Sequence, residues 1–260
     1  MVRDDADPFF QYPRYDHATS QGPVAMPILY YEDSNFMTLF FIDLERARAK
    51  LAPAGLEPVR FLGGKALAGV AFYQYRSTSI GPYDEVGVAI AALPAGTAVP
   101  ALPLLSMMRD PDHNRVGFHI LDLPVTTAAA CAAGREIWGY PKFVTPIGFS
   151  LDRGRFEGTV TDPGDGSAML RLAGRVGPGL PAPLLDLVLY SRLDGALVRA
   201  TAITRGGGRA CLPGSVRLEV SASDHRMAAT LRDLGLADAR PAFVTHTDRL
   251  QLRLNAGVTI

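Results

Sequence analysis

The chain has 260 residues, of which 26 are basic, 26 are acidic and 48% are hydrophobic. Zero net charge without a basic run argues against nucleic acid or an anionic membrane surface as the partner, and the composition excludes an intrinsically disordered chain. We expect one domain over residues 1–260, in which residues 1–24 form an extended N-terminal arm.

The predicted elements are short strands with a few helices between them. In chain order they are strand 36–43, helix 44–51 capped by Asp43, strands 67–75, 85–93 and 116–121, an Ala-rich helix that starts after Thr126 or Thr127 and closes at Gly134, strands 143–151, 155–162, 168–175, 196–204 and 216–221, a helix capped by Asp224 with Gly235 at its end, and strand 245–253. The turn at 163–166 pairs its neighbouring strands as a hairpin. About ten strands and three short helices predict a mainly β (α+β), single-domain, antiparallel β-barrel.

Residues 86–108 carry no charge over 23 positions, which is long enough for a helix to cross a membrane. Pro94, Pro100 and Pro103 interrupt this segment, and an interior proline costs a helix about 3 kcal/mol. We therefore predict a strand that runs into an apolar loop, and no association with a membrane.

Several features indicate a cytoplasmic bacterial protein. Cys131 and Cys211 lie 80 residues apart without a metal-binding spacing, as expected for reduced thiols. The first residues include acidic side chains where a secretion signal requires basic ones. Of the 26 cationic residues, 23 are arginines, and this bias is typical of GC-rich bacterial genomes.

No sequence motif for a cofactor or a metal stands out. The chain has no GxSxG, HExxH or P-loop sequence, and glycines 206–208 are interpreted as a flexible turn. His113 near Asp110 and Asp112 could bind a metal, but Pro111 in the same segment favours a solvated loop. We therefore expect no metal and no cofactor.

Lys142 stands apart among the three lysines of the chain. The sequence at 135–144, REIWGYPKFV, surrounds it with aromatic and apolar residues. A lysine that loses its proton through burial can attack a ketone and form an imine, which an arginine cannot do, and Trp138, Tyr140 and Phe143 would supply that burial. The alternative is that the lysine stem packs on Trp138 or Tyr140 while the ammonium group reaches water.

Two motifs resemble a known family. The run GREIWGYPK at 134–142 resembles the Schiff-base lysine motif of the acetoacetate decarboxylases, and GPYDEVG at 81–87 resembles the family's Gly-x-Tyr-x-Glu segment with its active-site glutamate, here Glu85. Weaker similarity extends over residues 25–257. The resemblance implies a cone-like antiparallel barrel, a homo-oligomer, an imine on Lys142 and proton transfer by Glu85.

Three positions depart from the pattern of the family's decarboxylases. A second lysine is replaced by Phe143, an arginine near the first strand by Ser34, and a second glutamate by Val70. The groups expected to orient an acetoacetate carboxylate are therefore missing, while the imine chemistry is retained. The segment 93–114 is also longer than usual for the family.

These observations predict a Schiff-base lyase that acts on a small oxo acid, with condensation and dehydration of pyruvate and an aldehyde as the preferred reaction. Acetoacetate decarboxylation and a non-catalytic ligand-binding barrel are the alternatives.

Glu85 is the predicted general acid and base, or else a surface strand residue. Tyr83 would bind a developing oxyanion, or else be a turn aromatic, and Trp138 would form a pocket wall. Arg135 and Glu136 are expected to form a structural ion pair.

Overall fold

Residues 7–260 are described by a computed structural model, and strands dominate them. The strands are β1 (Tyr15–His17), β2 (Val24–Met26), β3 (Ile28–Ile42), β4 (Leu56–Pro58), β5 (Ala66–Thr78), β6 (Tyr83–Pro94), β7 (Gly117–Val125), β8 (Lys142–Val144), β9 (Ile147–Asp152), β10 (Arg155–Thr161), β11 (Ala168–Arg175), β12 (Gly179–Pro183), β13 (Leu187–Leu193), β14 (Ala196–Arg205), β15 (Gly207–Cys211), β16 (Arg217–Val220), β17 (Asp238–Ala239), β18 (Phe243–Leu254) and β19 (Val258–Thr259). The helices are α1 (Leu44–Leu51), α2 (Pro103–Ser106), α3 (Ala128–Trp138) and α4 (Arg226–Asp233), with 3₁₀ turns at Ala52–Ala54, Leu62–Gly64 and Pro111–His113.

Seven strands close a barrel in the order β18, β3, β5, β6, β7, β13 and β14, and the pairing of β14 with β18 completes the ring. Its neighbouring strands are antiparallel except β7 and β13, which run parallel. The predicted mainly β barrel with a few short helices is confirmed. Because a closed sheet has no free edge, its inner face encloses a space that side chains fill or leave open.

Side-chain alternation along the barrel strands divides the apolar residues between two cores. On β5, Ala68, Val70 and Phe72 belong to a core outside the barrel. Leu67 and Tyr75, on the opposite face of the same strand, belong to the core inside it. The inner core also receives apolar residues of α3, whereas α1 and α4 cover the outer one.

A five-stranded antiparallel sheet, in the order β17, β16, β11, β10 and β9, packs on the outside of the barrel. Phe156 of β10 stacks on Phe36 of β3 with 3.9 Å between the ring centroids, and it meets Phe72 of β5 edge-on at 5.4 Å. The hairpin of β10 and β11 closes between Thr161 and Ala168, as the turn at 163–166 predicts.

Helix α1 begins and ends at its predicted residues. The carboxylate of Asp43 accepts hydrogen bonds from the backbone N–H groups of Glu45 and Arg46 at 2.9 and 3.1 Å. This cap satisfies two of the N–H groups that the first turn of a helix leaves without partners.

One predicted boundary of each of the two other longer helices is wrong, whereas the Thr127 cap of α3 and the end of α4 before Gly235 agree with the prediction. Helix α3 continues through Gly134 and ends at Gly139, which adopts a left-handed φ of +69°. Helix α4 is capped by His225 instead of Asp224, because the His225 Nδ1 accepts a hydrogen bond from the Met227 N–H at 3.2 Å. For α4 the adjacent His225 supplies the cap in place of Asp224, whereas α3 continues past Gly134, on which the stem of Lys142 packs.

Residues 86–108 form most of β6, a loop and the short helix α2, as the proline positions predict. None of the helices within residues 7–260 is both long enough and apolar enough to cross a membrane.

Strands β13 and β15 escape sequence-based prediction. Strand β13 pairs with β14 and, in parallel, with β7. Strand β15 begins at Gly207, in the glycine run interpreted as a flexible turn, and pairs with β12 and β18. Glycine has little intrinsic preference for a strand, so its conformation here is set by the neighbouring strands.

The predicted N-terminal arm, residues 1–24, is described only from residue 7, and residues 1–6 lie outside the described part of the chain. Its remainder contains one strand of a hairpin, since β1 pairs with β2 from Tyr15 opposite Met26 to His17 opposite Val24.

Candidate active site

Lys142 opens strand β8 and pairs with Leu123 of β7. The left-handed Gly139 turns the chain out of α3, and the N–H of Tyr140 donates to the carbonyl oxygen of Gly134 at 3.0 Å. This turn brings Lys142 back beside the helix that precedes it. Lys142 is only 8% exposed, and lysines are seldom buried to this degree without a partner.

Gly134 of α3 makes room for the stem of this lysine. A Cβ atom at position 134 would lie 2.3 Å from both Cδ and Cε of Lys142, much closer than two carbon atoms can approach. Glycine is unfavourable inside a helix by about 1 kcal/mol relative to alanine. Its presence in the middle of α3 is therefore explained by the lysine that packs on it.

Glu85 of β6 is the buried partner of Lys142. Its Oε2 atom accepts a hydrogen bond from the Lys142 Nζ at 2.5 Å, and Glu85 is also 8% exposed. The structure thus brings together the two residues predicted to be catalytic, which are 57 positions apart in the chain. Transfer of the proton from the ammonium to the carboxylate removes both buried charges and leaves a neutral amine, which is the form that attacks a carbonyl carbon.

Three tyrosines pack around this ion pair. The ring of Tyr75 lies 4.5 Å from that of Tyr30 and 4.8 Å from that of Tyr83, measured between centroids. The hydroxyl groups of Tyr30 and Tyr83 are hydrogen-bonded at 2.8 Å, and the Tyr75 hydroxyl lies 3.5 Å from Oε1 of Glu85. The tyrosines therefore separate the ion pair from solvent on this side.

Burial raises the pKa of Tyr30, Tyr75 and Tyr83 well above the usual tyrosine value, and the negative charge of Glu85 acts in the same direction. Their hydroxyl groups consequently stay protonated at neutral pH and remain hydrogen-bond donors. The hydroxyl of Tyr83, the predicted oxyanion ligand, is hydrogen-bonded to that of Tyr30. The centroid of the Tyr83 ring lies 5.7 Å from the Nζ of Lys142. Tyr83 therefore lies beside Lys142, but it is not among the residues that line the cavity.

Lys142 and Glu85 face a cavity of about 100 Å³ inside the barrel. Most of its surface is apolar. The lining residues are Tyr30, Met37, Leu39, Gly69, Ala71, Tyr73, Tyr75, Glu85, Gly87, Ala89, Phe118, Ile120, Leu123, Tyr140, Lys142, Leu187, Leu189, Ala202, Leu252 and Leu254. Only Lys142 and Glu85 in this set are charged, and they neutralise each other.

Tyr140 is a site residue that sequence reasoning did not select. It lines the cavity, it is 3% exposed, and its hydroxyl oxygen is buried without a hydrogen-bond partner among the described residues. Burial raises its pKa above the usual tyrosine value, so the hydroxyl is a free donor. Its position two residues before Lys142 was the available signal, because alternate residues of an extended segment share a face.

Trp138, the predicted pocket wall, lies behind Tyr140 and not on the cavity surface. The two rings stack with 5.6 Å between their centroids. The Trp138 Nε1–H donates to the carbonyl oxygen of Asn255 at 3.0 Å, so this indole is held by the C-terminal segment. Trp138 thereby fixes the ring of Tyr140.

The expected ion pair of Arg135 and Glu136 is replaced by a different contact. The Glu136 carboxylate accepts hydrogen bonds from the backbone N–H of Ser20 at 2.9 Å and from the Ser20 hydroxyl at 2.6 Å. These bonds lower the pKa of Glu136 and attach α3 to the N-terminal segment. The expectation failed because residues adjacent in a helix point in different directions.

The three positions that depart from the family's pattern lie outside the cavity lining. The hydroxyl of Ser34 accepts a hydrogen bond from the exposed Arg76, and Val70 belongs to the outer core. Phe143 packs against His225, with 4.6 Å between the ring centroids. The expectation that an acetoacetate carboxylate is poorly oriented therefore rests on the lack of a free cation in the cavity lining and not on these three positions.

Within residues 7–260, no group of three or more His, Cys, Asp or Glu side chains is arranged to hold a metal ion. Cys131 and Cys211 are both free and half-buried.

The model of the acetoacetate decarboxylase family matches residues 12–229 of the chain. The chain belongs to this family. Among curated proteins, none matches it. The family assignment agrees with the resemblance of the two motifs around Glu85 and Lys142.

Solved structures of related proteins share the fold. Acetoacetate decarboxylase from Legionella pneumophila is 17% identical with a TM-score of 0.65, and the match covers 98% of this chain and 94% of that one. The enduracididine biosynthesis enzyme MppR, complexed with pyruvate, is 19% identical with a TM-score of 0.60 over 92% and 94% of the two chains. An acetoacetate decarboxylase-like enzyme from Sphingomonas wittichii RW1 is 16% identical with a TM-score of 0.61 over 98% and 97%.

Proposed function

We propose that this protein is a Schiff-base lyase that condenses pyruvate with an aldehyde through an imine on Lys142 and then removes water. The observation that carries the proposal is the buried Lys142–Glu85 pair at 2.5 Å, facing a cavity in which no other residue of the lining is charged. One relative with this fold, MppR, is described in complex with the condensation product of pyruvate and imidazole 4-carboxaldehyde. A homo-oligomer in a bacterial cytoplasm is part of the same proposal, supported by the family and by the arginine-rich composition.

The first half of the reaction forms the imine. Glu85 takes the proton of the Lys142 ammonium, and the free amine adds to the ketone carbon of pyruvate. Glu85 then returns the proton to the carbinolamine hydroxyl, which leaves as water, and the C=N bond of the protonated imine forms. The iminium withdraws electrons from the neighbouring methyl group, so loss of one methyl proton gives an enamine.

The second half joins the two substrates. The enamine carbon forms a bond to the aldehyde carbon while the aldehyde oxygen takes a proton and becomes a hydroxyl. Loss of a second proton from the same carbon expels that hydroxyl as water, and hydrolysis of the imine releases the unsaturated oxo acid and restores Lys142. In this proposal the free hydroxyl of Tyr140 donates to the substrate oxygen, whereas Tyr83 and Trp138 hold Lys142 and Tyr140 in position.

Borohydride trapping tests the imine directly. Incubation with pyruvate and borohydride is expected to add the mass of the reduced pyruvate adduct to the peptide that contains Lys142, and Lys142→Arg is expected to abolish it. Lys50→Arg is the matched control, because Lys50 forms an ion pair with Asp233 at 2.7 Å, outside the cavity lining. An adduct on Lys50 or Lys65, or no adduct at all, would contradict the proposal.

Decarboxylation of acetoacetate is the second candidate, because it uses the same imine as an electron sink and the family carries its name. A non-catalytic ligand-binding barrel would keep the cavity but would give no trapped adduct.

A further inference from the structure

Four small residues form one side of the cavity next to the reactive pair. On β5 and β6, Gly69 lies opposite Ala89 and Ala71 lies opposite Gly87, and all four line the cavity. We call these four residues the small-residue floor. The next cross-strand pair is Tyr73 and Glu85, so the floor starts beside Lys142. At about 3.3 Å per residue along β6, Gly87 and Ala89 of the floor lie roughly 7 Å and 13 Å from Glu85.

The backbone does not require glycine at positions 69 and 87. Neither residue has a positive φ, and an added Cβ would lie 3.5 Å from Leu39 or from Leu123, which is ordinary van der Waals contact. Glycine in a strand loses conformational entropy and contributes no packing, and it often marks a place where a ligand approaches the backbone closely. What these two glycines supply is open space above the floor.

The lining next to the floor is apolar. Met37 and Leu39 on β3 and Phe118 and Ile120 on β7 flank it, and Leu187 and Leu189 of β13 belong to the same lining. Because the two charges of the lining are paired with each other, this part of the cavity offers nothing that would compensate the charge of a buried carboxylate. Apolar cavities of about 150 Å³ hold one benzene ring, so the smaller cavity of about 100 Å³ suits a short alkyl chain.

The hydroxyl of Tyr140 points independently to a ligand. It is buried, it has no partner among the described residues, and it lies on the same cavity. A buried hydroxyl without a partner costs free energy, which a bound oxygen atom would recover. The cavity thus combines a polar end, with Tyr140, Lys142 and Glu85, and an apolar end over the floor.

We propose that the aldehyde condensed at Lys142 carries an apolar alkyl chain, and that this chain lies on the small-residue floor. The inference rests on the proposed function. It assigns the substrate class as apolar aldehydes in preference to aldehydes that bear a carboxylate, and it makes Gly69, Ala71, Gly87 and Ala89 determinants of specificity.

A panel of aldehydes tests the assignment at a fixed pyruvate concentration. We expect kcat/KM for product formation to rise by about fourfold per methylene from acetaldehyde through butanal to hexanal, and glyoxylate to be the poorest substrate. Gly87→Ala is expected to lower the ratio of hexanal to acetaldehyde activity by about tenfold, because the new methyl group occupies the floor. Gly207→Ala is the matched control, since position 207 lies outside the cavity lining and has no atom within 4 Å of an added Cβ, and it should keep the ratio.

Pyruvate trapping on Lys142, measured in parallel, separates the two proposals. If trapping succeeds but activity does not rise with chain length, or if Gly87→Ala leaves the ratio unchanged, the inference is overturned and the proposed function stands.

If trapping fails, the proposed function falls, and binding of hexan-1-ol measured by calorimetry then tests the apolar surface alone. Binding that Ala71→Leu weakens at least tenfold supports the floor as an apolar binding surface, and absence of binding overturns it.

Discussion

The Lys142–Glu85 pair shows how two charges persist inside an apolar barrel. Each is 8% exposed, so water compensates neither, and removing one partner leaves the other without compensation. Buried pairs of this kind contribute little net stability compared with apolar residues of the same size. Under the proposed function the pair has a chemical role, because its two members can exchange a proton without solvent.

Glu85→Gln is the sharpest test of that exchange. The substitution keeps the shape of the side chain but removes its ability to accept the lysine proton. We expect the rate of pyruvate imine formation at pH 7 to fall by about 10²- to 10⁴-fold, measured by borohydride quenching and mass spectrometry. Glu57→Gln, at an exposed glutamate of β4, is the control and should react at the original rate. A rate for Glu85→Gln within threefold of the original would contradict the assigned role.

Gly134→Ala tests whether the helix positions the lysine. Alanine favours a helix over glycine by about 1 kcal/mol, so helix propensity alone predicts a more stable protein. The added Cβ would lie 2.3 Å from the lysine stem, so we expect Lys142 to move and imine trapping to slow by at least tenfold. Unchanged trapping kinetics, with the fold verified by circular dichroism, would show that the stem adjusts without cost.

At the scale of elements, the irregular part of β3 carries an unusual carboxyl group. The register of β3 against β5 shifts between Glu32 and Asp33. Asp33 is fully buried, its Oδ1 accepts from the N–H of Ser77 at 3.4 Å, and its Oδ2 has no partner among the described residues. Burial raises the pKa of Asp33 to about 7.

This pKa shift predicts how the stability of the fold depends on pH. The folded state binds the Asp33 proton up to about pH 7, whereas the unfolded chain releases it near pH 4. The folded state therefore binds one more proton between these values, and stability falls as the pH rises from about 4 to 7, by up to about 4 kcal/mol. Burial also raises the pKa of Asp122, to about 6. This shift adds a further loss of folding stability as the pH rises.

Asp33→Asn should remove the Asp33 part of this pH dependence. We expect the variant to be more stable than the original protein at pH 8 and to show a flatter profile of unfolding free energy between pH 4 and 7, measured by urea denaturation. The contribution of Asp122 is common to both proteins and cancels in the comparison. Asp248→Asn, at an exposed aspartate, is the control. Parallel profiles for Asp33→Asn and the original protein would show that Asp33 titrates normally.

At the scale of the whole molecule, closure of the barrel determines which chemistry the cavity supports. Strands β3, β5, β6, β7, β13, β14 and β18 each contribute lining residues. The residues that line the cavity are mostly apolar, and Lys142 of β8, the only cation of the lining, is paired with Glu85. The barrel therefore holds a buried lysine beside its glutamate partner in surroundings that offer no free cation to orient a substrate carboxylate.

We accordingly expect weak decarboxylation of acetoacetate. Pyruvate and acetoacetate both carry a carboxylate, but only decarboxylation requires that group to be held so that its C–C bond is aligned with the π system of the imine. A charged hydrogen bond that would hold it is typically worth about 1.5–3 kcal/mol, and the cavity lining offers no free cation to form one. Release of CO₂ from acetoacetate should be slower by about ten- to a hundredfold than condensation of pyruvate with hexanal in the same preparation. Equal or faster CO₂ release would show that a cation outside the cavity lining reaches the substrate.

The sequence by itself identified the closed mainly β barrel, helix α1 with its Asp43 cap, and the hairpin of β10 and β11. These features follow from side-chain periodicity and from cap and turn chemistry, which act between residues close in the chain. The motifs around Glu85 and Lys142 also marked both residues before any geometry was known.

Only the tertiary structure decided how those two residues meet and what surrounds them. Their contact at 2.5 Å joins strands that are distant in sequence, and the choice of Tyr140 over Tyr83 as a cavity residue depends on which face each side chain takes after the barrel closes. The local sequence predicts a helix end at Gly134. The reason for this glycine is the stem of Lys142, which packs on it only in the folded chain. Such features depend on strand register and ring closure, which are set by packing across the whole molecule.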